Sequence, residues 1–152
     1  MKKELKESYI IDAIRTPLGR RNGFLKDLHA VDLLAIPLTT VVERNYIKLD
    51  QIDDIIAGCV TQIGEQGANV ARNAALSAGF PETVPGTTVD RQCGSSLQAL
   101  QFADQGINSG FYNMVLAAGV ESMSRHTIGS NISKEKNPIT ASLEKKYRLE
   151  GN

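Results

Sequence analysis

Cys93 stands where a short β-branched run gives way to a helix, in the stretch Thr87-Thr88-Val89-Asp90-Arg91-Gln92-Cys93-Gly94-Ser95-Ser96-Leu97-Gln98-Ala99-Leu100. Strand character stops at Asp90, and after Gly94-Ser95-Ser96 the apolar residues recur at helical spacing. At such a strand-to-helix turn the first helical N–H groups lack intrahelical partners and carry the positive end of the dipole, which favours a thiolate over a thiol. Gly94, Ser95 and Ser96 put little bulk around the sulfur, so a carbonyl carbon can approach it and backbone N–H groups can point at the carbonyl oxygen. The arrangement suits a nucleophile. The same residues also describe a small buried cysteine followed by an ordinary helix start.

Other residues with chemical potential are less well placed. Cys59 ends an apolar run beside Gly58, with no histidine and no helix start next to it, and reads as a core cysteine. The two cysteines form no C-x-x-C pair, which argues against a zinc site and a disulfide framework and leaves no metal site to assign. His29 precedes a helical stripe and suits a capping or solvent-facing role. His126 opens a polar tail and is a minor candidate for lining a ligand site. The loop Gly64-Glu65-Gln66-Gly67-Ala68-Asn69 carries two glycines before a helix, but neither G-x-x-x-x-G-K-[ST] nor G-x-G-x-x-G is present. Asn69 and Arg72, three apart on that helix, read as polar packing.

The elements that position these residues follow from hydrophobic pattern. Residues 9–14 (YIIDAI) form a near-continuous apolar run ended by Arg15-Thr16-Pro17, the pattern of a largely buried first strand. Val31, Leu34, Leu38, Val41, Val42 and Tyr46 make a helical stripe, with Pro37 inside it to kink the helix or delay its start. A second strand is expected over 52–60 with Ile55-Ile56-Ala57 buried. A small-residue helix over 70–78 follows, closed by Gly79 and stopped by Pro81. The third strand is 87–89 and leads to Cys93. The helix after it carries Leu97, Leu100, Ala103 and Ile107, flanked by Ala99, Phe102 and Gly106, an arc wide enough to demand cover on more than one side. A fourth strand over 112–119 is expected to be buried on both faces. Alternating strands and helices imply an α/β fold: a layered, mostly parallel sheet with helices on both faces and its chemistry at the carboxyl ends of the strands. Cys93, the 119–124 segment and the Gly64 loop would share that rim. From 129 onward apolar residues are too sparse for a core, giving an expected domain over 1–125 and a polar tail or opening of a further domain over 126–152.

Composition narrows the class. The 152 residues include 17 Lys plus Arg and 17 Asp plus Glu, a formal net charge of zero that offers no basic field for nucleic acid or an anionic membrane. No apolar run approaches the roughly 20 residues needed to span a bilayer. The charged opening MKKELKES lacks an apolar signal core, and the chain reads as cytoplasmic.

The DRQCGSSLQAL segment resembles the nucleophilic-cysteine motif of the thiolases, the acetyl-CoA acetyltransferase and 3-ketoacyl-CoA thiolase family. IIDAIRTPLGRRNG is similar to the family's opening strand and turn, GANVARNAALSAGFP to its second helix and AAGVESMS to the segment after its fourth strand, all in family order. The resemblance runs from about 9 to 125. It implies acyl transfer through a thioester on Cys93, with acyl-CoA and coenzyme A as substrates and no permanently bound cofactor. It also implies a homo-oligomer at full length, a place in fatty acid metabolism, and Met123 packed against the acyl or pantetheine portion unless it is a core methionine. The family's activating histidine, second histidine, general-acid cysteine and further oxyanion-hole glycine have no counterpart motif here, and neither His29 nor His126 matches one. The expectation is therefore an N-terminal portion, inactive alone. A decarboxylating ketoacyl-synthase-like enzyme and a non-catalytic assembly module are the alternatives.

Overall fold

The computed structural model describes residues 7–133 and 137–147. The charged opening over 1–6 and parts of the polar tail lie outside the described residues. Three strands, β1 (Asp54–Gly58), β2 (Gly86–Val89) and β3 (Val115–Gly119), form a parallel sheet in the order β2-β1-β3. Between and around them run α1 (Ala30–Arg44), α2 (Val70–Ser77), α3 (Ser95–Ser109) and a short exposed α4 (Ala141–Tyr147).

Side-chain alternation along β1 divides the helices between two faces. Ile55, Ala57 and Cys59 join the core made with Leu34, Leu38 and Val42 of α1 and Val70, Ala71 and Ala74 of α2. Gly58 points the other way, against the first turn of α3. The layered α/β architecture with helices on both faces is the one expected from sequence.

Local chemistry sets the helix ends. His29 caps α1, its Nδ1 accepting the Val31 N–H at 3.2 Å, as its position before the stripe suggests. Pro37 lies within α1, so the helix neither starts after it nor stops there. Leu34, Leu38 and Val42 are buried, but Tyr46 lies past the helix end with φ +54° and is 94% exposed, so it leaves the predicted stripe. Asn69 caps α2 through its Oδ1, which takes the Arg72 N–H at 3.3 Å and the Thr88 hydroxyl at 2.9 Å. Its amide donates to the Gly86 carbonyl at 2.7 Å, so the predicted polar packing joins α2 to β2. Gly79, at φ +81°, closes α2 with Gly79 N–H bound to the Leu76 carbonyl and Phe80 N–H to the Ala75 carbonyl.

Two strand expectations are corrected. No strand forms over 9–14: Tyr9, Ile10 and Ile11 are 75%, 73% and 67% exposed. An apolar run becomes a strand only where a neighbour offers ladder hydrogen bonds, and among the described residues β1 pairs with β2 and β3 alone. The segment is held instead by Asp12, whose carboxylate pairs with Arg44 and accepts from Asn45 at 2.5 Å. The last strand is shorter than expected and is not buried on both faces, with Ala117 and Gly119 exposed. Among the described residues it is an edge strand, and the residues before it are spent on anchoring: Asp53 accepts the Asn113 and Met114 N–H groups, and the Tyr112 hydroxyl donates to Asp54 at 2.7 Å.

Candidate active site

The carboxyl ends of the three strands lie level, because Gly58 is in register with Val89 on one side and Gly119 on the other. Each strand then releases a loop onto one rim. From β2 comes Asp90-Arg91-Gln92-Cys93-Gly94, a turn whose bonds are all local. Asp90 Oδ1 accepts the Gln92 N–H at 2.7 Å, and Gln92 adopts φ +49°, a left-handed conformation unusual for a residue with a side chain. Arg91 O accepts the Gly94 N–H and Gln92 O the Ser95 N–H, each at 3.0 Å. The buried Ser95 hydroxyl accepts the Arg91 N–H at 2.9 Å and donates to Gln92 O at 2.6 Å, riveting the turn to the helix.

Cys93, like Asp90, Arg91 and Gln92 before it, is exposed, and it is a free thiol. Gly94 is the N-cap of α3 and supplies no side-chain cap, so beyond the Ser95 N–H, which the Gln92 carbonyl takes, the first turn of the helix has no side-chain acceptor from its cap residue. Cys59, also free, is 1% exposed in the core. Burial first, then the nearby Glu121 carboxylate, pushes its thiol up to about 12. It is the structural cysteine that its sequence context indicates.

The loops after β1 and β3 are joined by a polar network that sequence reading missed. Glu121 accepts the Val60 N–H at 2.8 Å, the Thr61 N–H at 3.2 Å and the Gln66 amide at 3.0 Å. Gln66, fully buried, also donates to Thr61 O at 2.8 Å and accepts the Ser122 N–H at 2.5 Å. Burial alone would raise the Glu121 carboxyl, but these donors outweigh it and hold it below the usual range. The available signal was a lone acid placed directly after an apolar strand, which needs partners if it turns inward.

Farther along the rim, Glu65 ties three segments together. It pairs with Arg125, lies 3.9 Å from His29 Nε2, and is held down to about 2, chiefly by the Arg125 guanidinium. His126 lines an open cleft of about 330 Å³ with Lys26, Asp27, Glu65, Ser124 and Arg125. Its Nε2 is buried without a partner among the described residues, and its ring lies against Gly64. Cys93 is not part of that cleft. Met123 follows on the same loop and is 48% exposed, so it is not a core residue. The described residues contain no group of three or more His, Cys, Asp or Glu side chains placed to hold a metal, and no helix among them is long and apolar enough to cross a membrane.

Helix α3 buries Gln98, Ala99 and Ala103 against the sheet, while Leu97, Leu100 and Phe102 are 61%, 40% and 41% exposed. The breadth of its apolar arc is real, and the described residues cover one side of it.

Residues 8–148 match the thiolase N-terminal domain. The chain is 50% identical over 124 residues to a steroid 3-ketoacyl-CoA thiolase of Mycobacterium tuberculosis, covering 82% of this chain and 30% of that protein. It is 51% identical over 122 residues to a β-ketoadipyl-CoA thiolase of Acinetobacter baylyi, covering 80% and 30%. Among solved structures it is similar to the acetyl-CoA acetyltransferase of Bacillus anthracis, with TM-score 0.74, 39% identity, and 81% of this chain and 31% of that one covered. The chain thus spans about 30% of the length of the curated relatives it matches. By that match and the α/β architecture beneath it, the chain belongs to the thiolase family through its N-terminal domain.

Proposed function

We propose that this chain forms the nucleophile-bearing part of an acyl-CoA acyltransferase that cleaves 3-oxoacyl-CoA thiolytically or runs the reverse Claisen condensation. The observation that supports this most is Cys93 itself, an exposed thiol just before the start of α3, which has no side-chain cap, on the carboxyl rim of a parallel sheet. The Cys93 thiolate attacks the 3-oxo carbon, forming a C–S bond. The bond between C2 and C3 breaks, its electron pair leaves with the acetyl-CoA carbanion, and protonation there gives acetyl-CoA. A second CoA thiolate then attacks the acyl thioester, and the C–S bond to Cys93 breaks to release acyl-CoA and restore the thiolate.

The Cys93 backbone N–H serves as one oxyanion donor, and Met123 packs against the acyl or pantetheine portion. The base that removes the thiol proton, the second histidine and the general-acid cysteine come from the length of the relatives that this chain does not span, so the chain alone is inactive. The catalytic domain runs to 125 and is followed over 126–152 by the opening of a further domain or a polar tail, and the complete protein is a cytoplasmic homo-oligomer.

The test is CoA-dependent cleavage of acetoacetyl-CoA by the complete gene product. Cys93→Ala should lower kcat by at least about a thousandfold. Persistence of cleavage in that variant, or decarboxylation of malonyl thioesters without CoA-dependent cleavage, would overturn the reading.

A further inference from the structure

Gly58 and Gly119 are ladder partners at the carboxyl ends of β1 and β3, and both lie beneath the first turn of α3. A Cβ added to Gly58 would stand 2.7 Å from Ser96 Cα and closer still to the Ser95 carbonyl carbon and the Ser96 nitrogen. On Gly119 it would collide with Ser96 Oγ and lie 3.0 Å from Ser96 Cβ and 3.1 Å from Gly58 O. Neither glycine has a positive φ, so backbone conformation does not require glycine at either position. Space does. Glycine inside a strand is less stable than alanine there, and here that cost is accepted twice, side by side, on one face of the sheet.

The turn seated there behaves as one unit, since Ser95 Oγ links the Arg91 N–H and the Gln92 carbonyl to the helix start. We propose that the Gly58–Gly119 pair is a steric seat that sets the position of the Cys93 turn on the sheet, making both glycines positioning residues for the nucleophile. The catalytic consequence rests on the acyltransferase reading; the geometric one does not. Gly119 is the informative position, because the atoms its Cβ would strike most closely belong to one small side chain.

The experiment compares Gly119→Ala, the double variant Ser96→Gly with Gly119→Ala, and Val42→Ala as a destabilised control in α1. Iodoacetamide labelling of Cys93 is measured in the 152-residue chain, and kcat and KM are measured in the complete gene product. Gly119→Ala should slow Cys93 alkylation and lower kcat, each by about tenfold, with KM changed by less than about threefold. The added Ser96→Gly should restore both rates to within about threefold, whereas Val42→Ala should leave the alkylation rate within about twofold of the parent. An unchanged alkylation rate in Gly119→Ala, or no recovery in the double variant, would overturn the seat. If Gly119→Ala fails to fold, recovery of folding and rate in the double variant supports the seat and failure to recover overturns it. Absence of acyl transfer in the parent gene product, with the alkylation pattern intact, would reject the acyltransferase reading and leave the seat standing.

Discussion

Glu121, two residues past the end of β3, accepts the Gln66 side-chain amide at 3.0 Å, and Gln66 in turn accepts the Ser122 N–H at 2.5 Å. Because Glu121 also takes the Val60 and Thr61 N–H groups, the loops leaving β1 and β3 are locked to each other at the rim. Gln66→Leu fits the volume but strands the Ser122 N–H and one side of the carboxylate. It should destabilise the fold by about 1–3 kcal/mol, read as a lower urea midpoint with an unchanged m-value. Glu121→Gln should fall in the same range, since one of its oxygens is replaced by a donor facing N–H groups.

The two cysteines should separate cleanly in reactivity. Cys93 is exposed, whereas Cys59 is 1% exposed with its thiol pushed up to about 12. Iodoacetamide in the folded chain at neutral pH should modify Cys93 alone, and mass spectrometry of the tryptic peptides reads this directly. Equal labelling of both before unfolding would contradict the described core.

Cys59 also makes an alkaline prediction with a defined sign. Its folded value, about 12, exceeds the ordinary free thiol value of about 8.5. The unfolded chain therefore loses the proton first, and stability is retained below about 8.5 and declines as pH rises towards 12. Lysines and tyrosines titrate in the same region, so the comparison is with Cys59→Ala. That variant is less stable at neutral pH, and the gap to the parent should narrow between pH 7 and 10.

At the acidic end, Glu65 and Asp12 are both held down to about 2, by Arg125 and Arg44 respectively. Their contributions are present above the ordinary carboxylate range of about 4 and are lost as pH falls towards 2. Arg125→Ala should flatten the decline in thermal midpoint over that interval. The loss at pH 7 should be small, and smaller still in high salt, because the pair is solvent-accessible.

Much of the site was legible because it is built from local bonds. The Asp90–Cys93 turn, the His29 cap and the Gly79 closure each involve residues a few positions apart, so residue type and spacing already imply them. Glu121 and Gln66 are 55 residues apart, and neither has a neighbour that signals the other. The same holds for the glycine pair: Gly58 reads as a strand-end glycine until Gly119 and Ser96 are brought against it.

By itself the sequence determined that His29 precedes one helix, that Gly79 closes another, that Cys93 sits at a strand-to-helix turn, and that Cys59 belongs to the core. These depend on capping, periodicity and side-chain bulk, which act within one or two turns of chain. Tertiary structure decided that the apolar run over 9–14 stays exposed, that β3 is an edge, and that Glu121 rather than a nearer residue binds the rim together. Those outcomes turn on which distant backbone and side-chain groups are available to pair, and hydrophobic pattern records the wish for burial without recording the partner.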